Sequence, residues 1–230
     1  MAKISGVLQM FKPELVLIDL DGTLVDSVPD LAFAADAMMR ELGLPERGED
    51  AVRNWVGNGV EKLAKRTLTG DLEAEPDAEL FEKAYPIYYK YYLESNGQYS
   101  RLYPGVKEGL DMLKAKGLNL GCVTNKAESF TLPLLKAKGI FDYFSIVVSG
   151  DTLPQKKPAP EPLWHAAKHF NVKPENSLML GDSQHDVKAA RNAGFSVIAV
   201  SYGYNHGEDI NSANPDAVVD SFLELEALLK

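Results

Sequence analysis

Short apolar runs alternate with segments of helical periodicity, and this alternation constrains the fold more than any other feature. After residue 105 the runs are Leu118–Val123, Ile146–Val148, Leu178–Leu180, Val197–Val200 and Ala217–Val219. The helical segments cover Val106–Lys116, Glu128–Lys138 and Glu161–Phe170, and a fourth starts near His185. Strands that alternate with helices of this length are typical of βαβ units around a parallel sheet. We therefore predict an α/β fold with a doubly wound, Rossmann-like parallel sheet.

The stretch Leu15–Ser27 reads LVLIDLDGTLVDS and supplies the first strand. Residues 16–18 form a near-continuous apolar run, as expected for a strand buried on both faces. The run ends at Asp19, Asp21 follows two residues later, and Gly22 then allows the backbone a tight turn. Carboxylates are rarely buried unless something pairs with them. A lone acid at a strand end is ordinary, but two acids and a turn in this position indicate a functional site.

Residues 28–100 differ from the rest of the chain because they show helical spacing and no strand-like alternation. The apolar positions that recur at this spacing are Leu31, Ala34, Ala35, Met38, Met39 and Leu42. Ser27 and Asp30 have the spacing of a capping box, which predicts that a helix opens here. We predict an inserted all-helical cap domain over residues 28–100, and a core built from residues 1–27 and 101–230. The aromatic residues expected in the cap core are Trp55, Tyr85, Tyr88 and Tyr91.

Polar residues follow several of the predicted strands. Asp19, Thr124, Ser149 and Asp182 each come where a strand ends. In open parallel sheets, the carboxyl ends of the strands line the ligand crevice. We therefore expect these side chains to lie along one edge of the sheet, with Lys157 reaching them from a following loop.

Four short motifs occur in a fixed order along the chain. They are Asp19–Leu24 (DLDGTL), Thr124, Lys157 within KKPAP, and Gly181–Asp186 (GDSQHD). In this order and context they resemble the haloacid dehalogenase superfamily, the aspartate-nucleophile phosphohydrolases. The resemblance covers nearly the whole chain, with the helical insert between the first and second motifs. Three further segments, Trp55–Gly59, Asp151–Pro158 and Ser201–Asn205, are most similar to the phosphoglycolate phosphatases of that superfamily.

The first motif then acquires a chemical interpretation. Phosphate monoesters hydrolyse extremely slowly unaided, and a carboxylate nucleophile divides the reaction into two easier steps. We assign Asp19 as this nucleophile. Asp21 is expected on the same face, where it protonates the leaving oxygen and then activates water. Asp21 must carry a proton to act as an acid, and its protonation state is left open.

The phosphoryl group is expected to contact Lys157, Thr124 and backbone amides near Gly22 and Asn125. Lys157 supplies a positive charge to the phosphoryl group and to Asp19. Thr124 donates a hydroxyl hydrogen bond to a phosphoryl oxygen, and the two amides add further donors.

Negative charge is the main obstacle in such a site, because Asp19, Asp182, Asp186 and a phosphate dianion repel one another. A hard divalent cation with oxygen ligands resolves this, and Mg²⁺ suits carboxylates, phosphate and water. We predict side-chain ligands from Asp19 and Asp182, and the resemblance adds the backbone carbonyl of Asp21. Asp186 is expected to act in the outer shell through water. His165 and His169 are expected to be core or surface histidines rather than metal ligands, and His185 is expected to face solvent.

The net charge of −9 argues against nucleic acid or an anionic membrane as a partner. A small phosphorylated metabolite is compatible with it, because a metal and one lysine can invert the local sign. The single cysteine, Cys122, excludes an intrachain disulfide and is expected to be buried, which fits a reducing compartment. No apolar stretch approaches the roughly 18 residues of a membrane span, and no signal-peptide cleavage pattern is present. We predict a cytoplasmic protein; its start (Met1 or Met10) and oligomeric state are left open.

The favoured hypothesis is Mg²⁺-dependent hydrolysis of a phosphomonoester through an aspartyl-phosphate, with 2-phosphoglycolate as substrate. The alternatives are a phosphatase for another small sugar phosphate or a pyrophosphate, and a sugar phosphomutase. A dehalogenase is disfavoured because that chemistry has no use for Asp21 as an acid. A non-enzymatic phosphate-binding module is disfavoured because candidates for every catalytic role are present.

Overall fold

A computed structural model describes residues 10–230. The strands are β1 (Leu15–Ile18), β2 (Val25–Asp26), β3 (Arg101–Leu102), β4 (Asn119–Val123), β5 (Ile146–Val148), β6 (Ser177–Gly181), β7 (Ser196–Val200) and β8 (Ala217–Val219). The helices are α1 (Val28–Glu41), α2 (Glu49–Trp55), α3 (Val60–Thr69), α4 (Ala78–Ser95), α5 (Val106–Ala115), α6 (Glu128–Ala137), α7 (Glu161–Phe170), α8 (Gln184–Ala193) and α9 (Leu225–Leu228). The first nine residues, which include the predicted start of the core, lie outside the described residues.

The core is a six-stranded sheet with strand order β5-β4-β1-β6-β7-β8. Every neighbouring pair is parallel, and β1 lies at the centre with Ile18 paired to Cys122 on one side and Leu180 on the other. The predicted α/β class and parallel sheet are confirmed. The limits of the elements predicted after residue 105 agree with the structure within one residue. Cys122 is buried, as expected.

Both faces of the sheet are covered by helices. Val16 and Ile18 of β1 pack with α5, α6 and α9, whereas Leu15 and Leu17 pack with α7 and α8. Successive side chains of a strand point to opposite faces. A strand with both faces buried therefore needs the continuous apolar run that the sequence shows there.

The four helices α1–α4 bury a separate apolar cluster, which includes Trp55 and Tyr88. Phe130 and Tyr204 of the core join this cluster and tie the cap to the sheet domain. The cap is helical throughout, as predicted. The boundary at residues 28 and 100 stays a prediction.

The two connections between core and cap pair with each other. β2 and β3 form a two-stranded antiparallel sheet, in which Val25 pairs with Leu102 and Asp26 with Arg101. This pairing was not predicted, because two-residue strands are too short to show an alternating pattern.

The capping box predicted at the start of α1 is wrong, although the helix does begin at Val28. Ser27 makes no side-chain capping bond there. The Asp30 carboxylate instead accepts hydrogen bonds from the amides of Gly97 (2.7 Å), Tyr99 (2.6 Å) and Ser100 (3.2 Å). The amides of residues 97–100, at the end of the cap segment, thus occupy the Asp30 carboxylate that a local capping box would have used as its acceptor. None of the helices in residues 10–230 has the length and apolarity needed to cross a membrane.

Candidate active site

The motif residues meet at one cavity between the sheet and the cap. Asp19 follows β1, Thr124 follows β4, Asp182 follows β6, and Lys157 comes from the loop before α7. These four residues and Asp21 line the cavity. Since β4, β1 and β6 are adjacent and parallel, their carboxyl ends deliver these residues to the same edge of the sheet.

Lys157 lies at the centre of the polar contacts. Its Nζ is 2.8 Å from Asp19 Oδ1, 2.6 Å from Asp186 Oδ1, and donates to the carbonyl of Val123 at 2.8 Å. Burial lowers the pKa of Lys157, but the charges of Asp186 and Asp19 outweigh it and raise that pKa above its ordinary value. The ammonium therefore stays charged although it is buried.

In contrast to Lys157, Asp19 and Asp182 lie in surroundings that disfavour their charged forms. Burial raises the pKa of Asp19 to about 7, Lys157 opposes that shift, and the charges of Asp186 and Asp21 add to it. Burial also raises the pKa of Asp182 well above its ordinary value, with Asp186 and Asp19 adding to it. Without a cation, the charged forms of these carboxylates are disfavoured by their mutual repulsion and by the low dielectric constant of the buried site.

Three of the carboxylates lie close enough together to hold a metal ion. One oxygen each from Asp19, Asp182 and Asp186 lies within 4.8 Å of the others. Asp19 Oδ1 is buried and accepts no hydrogen bond of good geometry from residues 10–230, although Lys157 is near. The carboxyl groups of Asp19, Asp21, Asp182 and Asp186 outnumber the ammonium groups of Lys126 and Lys157, and a divalent cation would offset this excess of acidic groups. An all-oxygen donor set suits Mg²⁺ better than a softer metal.

Asp182 is fixed in position by its neighbours. Its Oδ1 accepts from Thr23 Oγ1 at 3.0 Å, and its Oδ2 accepts from the amide of Tyr204 at 2.8 Å. A Cβ added to Gly22 would lie 2.2 Å from Asp182 Oδ2, and one added to Gly203 would lie 2.1 Å from Asp182 Cβ. The amide of Gly22 donates to the carbonyl of Val25, so its assignment to phosphate binding stays a prediction.

Thr124 and Asn125, which directly follow β4, line one side of the cavity. Thr124 Oγ1 accepts from the amide of Lys126 at 3.2 Å, and among the described residues its own hydroxyl hydrogen has no acceptor. Asn125 Nδ2 donates to the carbonyls of Lys157 (3.0 Å) and Gly57 (3.3 Å). Asn125 therefore links the third motif to the cap in addition to lining the cavity.

The two oxygens of the buried Asp186 carboxylate accept hydrogen bonds from separate sets of donors. Its Oδ1 accepts from Lys157, and its Oδ2 accepts from the amide and the hydroxyl of Ser183 at 3.1 and 2.8 Å. Ser183 and Asp186 form a capping box at the start of α8. The chain thus uses this box to orient a carboxylate of the site.

The sequence-based predictions did not include Lys126, the second lysine of the cavity. Its Nζ lies 3.1 and 3.2 Å from the two oxygens of Asp21 and contacts the Tyr92 hydroxyl of α4. Its side chain is only 2% exposed. Its position directly after Thr124 and Asn125, at a strand end, was a usable signal for this role.

The cap supplies an apolar wall and a loop that reaches the core. The wall consists of Leu31, Val56, Val60 and Leu63. Asn58 of the loop bonds His185 Nε2 at 3.1 Å, and its carbonyl accepts from Lys156 Nζ at 3.1 Å. The expectation that His185 faces solvent is wrong, because this cap contact half-buries it against the cavity.

Tyr204, Asn205 and His206 also line the cavity and were missed as site residues, although the segment Ser201–Asn205 had been noted for its resemblance.

Other residues weighed from the sequence lie outside the cavity. His165 and His169 are exposed on α7. Ser149 follows β5 as expected, but its amide donates to Thr152 Oγ1 and it does not line the cavity. These residues have no part in the site.

Comparison with known proteins places this arrangement in context. Residues 16–200 match the family model described as haloacid dehalogenase-like hydrolase. A protein of Nitrosococcus oceani named phosphoglycolate phosphatase is 59% identical over 218 residues, covering 95% of this chain and 97% of that protein. One of Nitrosospira multiformis with the same name is 52% identical over 215 residues, covering 94% and 95%.

A solved structure shows the same architecture. The crystal structure of a "predicted phosphoglycolate phosphatase" from Haemophilus somnus superposes with a TM-score of 0.86 at 37% sequence identity. The match covers 96% of this chain and 99% of that one. The similarity therefore includes both the sheet domain and the helical cap.

Proposed function

Because the chain belongs to the haloacid dehalogenase-like hydrolases, and its relatives mark it as a phosphatase, we propose that it hydrolyses 2-phosphoglycolate to glycolate and phosphate through an aspartyl-phosphate on Asp19. The observation that carries this proposal is the convergence of Asp19, Asp21, Thr124, Lys157 and Asp182 on one cavity. The names of the relatives support the choice of substrate.

In the first step, a carboxylate oxygen of Asp19 attacks phosphorus. The bond from phosphorus to the ester oxygen breaks, and Asp21 gives its proton to that leaving oxygen. Lys157 and the hydroxyl of Thr124 stabilise the charge that spreads over the phosphoryl oxygens. Lys157 is suited to this role because its ammonium already lies 2.8 Å from Asp19.

In the second step, water replaces the aspartate. Asp21, now without its proton, takes one from the water molecule that attacks phosphorus. The bond between phosphorus and the Asp19 oxygen breaks, inorganic phosphate leaves, and both carboxyl groups return to their starting state. Asp19 and Asp182, with the backbone carbonyl of Asp21, would hold Mg²⁺, and Asp186 would support them from the outer shell. The ion would supply positive charge that lets carboxylates and a phosphate dianion share the site.

The helical region of residues 28–100 serves as a lid in this proposal. Its apolar wall and its loop around Asn58 cover the cavity from the cap side. A closed lid excludes bulk water from the aspartyl-phosphate until the attacking water is in place. The buried Cys122 and the net charge of −9 support a cytoplasmic enzyme with a small phosphorylated substrate.

The test combines a substrate panel with a change of the nucleophile. The wild type is expected to release phosphate from 2-phosphoglycolate faster than from hexose phosphates or pyrophosphate, and to lose this activity in EDTA. Asp19→Asn should reduce kcat by at least about 10⁴-fold, because the nucleophile is lost. Asp50→Asn, at an exposed carboxylate on α2, is the control and should leave kcat unchanged.

Acid-quenched enzyme gives a second readout. Labelled substrate should leave a phosphoryl group on the wild type that hydroxylamine removes, and no label on Asp19→Asn. Near-normal turnover of Asp19→Asn would overturn the mechanism. Isomerisation of a hexose phosphate without release of phosphate would instead identify a mutase.

A further inference from the structure

Lys126 is a buried cation to which the proposed mechanism gives no task. Its side chain is 2% exposed, and it lines the cavity beside Asp21. A lysine is rarely buried unless it is paired, and its free energy of burial must be balanced by specific contacts. Asp21 and the hydroxyl of Tyr92 provide those contacts.

The two lysines of the cavity serve different ends of a bound substrate. Lys157 lies beside Asp19, Asp186 and the carbonyl of Val123, at the phosphoryl end. Lys126 stands beside Asp21, which protonates the leaving oxygen in the proposed mechanism. Whatever is attached to that oxygen must therefore lie next to Lys126.

We propose that Lys126 binds a carboxylate on the leaving group and thereby selects phosphorylated 2-hydroxy acids over phosphate monoesters whose leaving group is uncharged. This inference rests on the proposed function, and it assigns to one residue the recognition of the substrate's organic part. In 2-phosphoglycolate the carboxyl carbon is two bonds from the leaving oxygen. An ammonium 3.1 Å from an Asp21 oxygen is close enough to meet that carboxylate while Asp21 meets the leaving oxygen.

The donors of Lys126 allow such a contact. An ammonium has three hydrogens. The two oxygens of Asp21 lie at nearly equal distances from Nζ, 3.1 and 3.2 Å, so they can share one hydrogen, and Tyr92 takes another. The third hydrogen remains for the substrate, and the Tyr92 ring, 4.9 Å away from Nζ, keeps the ammonium in place.

The rest of the leaving-group side favours a small acid. The side chains of Leu31, Val56, Val60 and Leu63, which line the cavity on the cap side, are apolar. A sugar would leave hydroxyl groups without partners against this wall, which costs free energy for each one. A two-carbon acid needs only one cation, and Lys126 supplies it.

The experiment compares two substrates that differ only in the carboxylate. These are 2-phosphoglycolate and 2-hydroxyethyl phosphate, assayed with the wild type, Lys126→Met and Lys126→Gln in Mg²⁺. Gln keeps a donor towards Asp21 and Tyr92 but has no charge, so it separates carboxylate binding from support of Asp21. Lys168→Met removes an exposed lysine from α7 and controls for net charge.

We expect both Lys126 variants to lose about 10- to 100-fold in kcat/KM for 2-phosphoglycolate, the range of a charge-assisted hydrogen bond. For 2-hydroxyethyl phosphate the loss should stay below about fivefold, so the preference between the substrates collapses. A Lys126→Gln enzyme that keeps the wild-type preference overturns the inference, and so does an equal loss on both substrates. A wild type that prefers a hexose phosphate overturns the proposed function instead, and that result is visible without any variant.

Discussion

At the scale of single residues, the packing around Asp182 shows how little freedom the site allows. Thr23 and the amide of Tyr204 hold its two oxygens. Gly22 and Gly203 approach it so closely that neither can carry a Cβ without displacing it. The position of this carboxylate is therefore determined by residues that have no chemical function of their own, and this can be tested.

Gly22→Ala should combine two penalties. Gly22 has φ +86°, which costs alanine about 1–2 kcal/mol, and the added methyl group overlaps Asp182 at a further cost of about 1–3 kcal/mol. Displacing Asp182 should lower kcat by at least about 100-fold. Gly43→Ala is the matched control, since Gly43 has φ +71° and open space around it. Phosphate release and urea denaturation measure both effects; equal loss of kcat in the two variants would contradict the role of the Asp182 contact.

At the scale of elements, the start of α1 depends on a contact distant in sequence. Asp30 is fully buried and accepts three amide hydrogens from residues 97–100, which follow α4. Its neighbour in the predicted box, Ser27, has a buried hydroxyl with no hydrogen-bond partner in the described part of the chain. The carboxylate thus joins the first and last turns of the helical region next to the β2–β3 pair.

Asp30→Asn should loosen this junction. The amide keeps one acceptor oxygen but places a donor in the position of the other, so at least one of the three amide hydrogens loses its acceptor, and we expect a loss of about 2–4 kcal/mol in the free energy of unfolding. Glu82→Gln, at an exposed carboxylate on α4, should change it by less than about 0.5 kcal/mol. Urea denaturation followed by circular dichroism provides the measurement. Equal stability of Asp30→Asn and the wild type would show that another group takes over these amides.

Features set by the local sequence could be predicted, whereas features set by contacts between residues distant in sequence could not. β1, β4 and β6 were predictable because a strand buried on both faces must be apolar along its length, and polar residues must then end it. The β2–β3 pair, the acceptor role of Asp30 and the contact between Asn58 and His185 join residues many positions apart. Local spacing contains no information about such partners, so the capping box was misassigned and His185 was placed in solvent.

At the scale of the whole molecule, the buried carboxylates couple metal binding to folding. Asp19, Asp182 and Asp186 are close together only in the folded chain. A cation that binds there stabilises the native state by mass action, by about 2.7 kcal/mol at a concentration 100 times Kd. Because burial raises the pKa values of Asp19 and Asp182 in the folded protein, cation binding there competes with protonation of these two groups.

Adding Mg²⁺ to EDTA-treated protein should therefore raise Tm by roughly 5–10 °C, the shift expected for a chain of this size. Asp182→Asn removes one ligand and should reduce that shift to less than about 2 °C. Asp50→Asn should keep the full shift, because its carboxylate is exposed and is not part of the cluster. Differential scanning calorimetry with and without Mg²⁺ checks this, and a full shift in Asp182→Asn would remove that residue from the ligand set.

The pairing of Asp26 with Arg101 has a consequence for how such a protein diversifies. Paired residues of antiparallel strands have Cα atoms only about 4.5–5.5 Å apart, so the chain departs and returns at nearly the same point. More than seventy residues can then be exchanged, enlarged or shortened without altering the path of the sheet or the reactive carboxylates. Recombination at this junction offers a route to new substrate preferences with the hydrolytic machinery inherited intact.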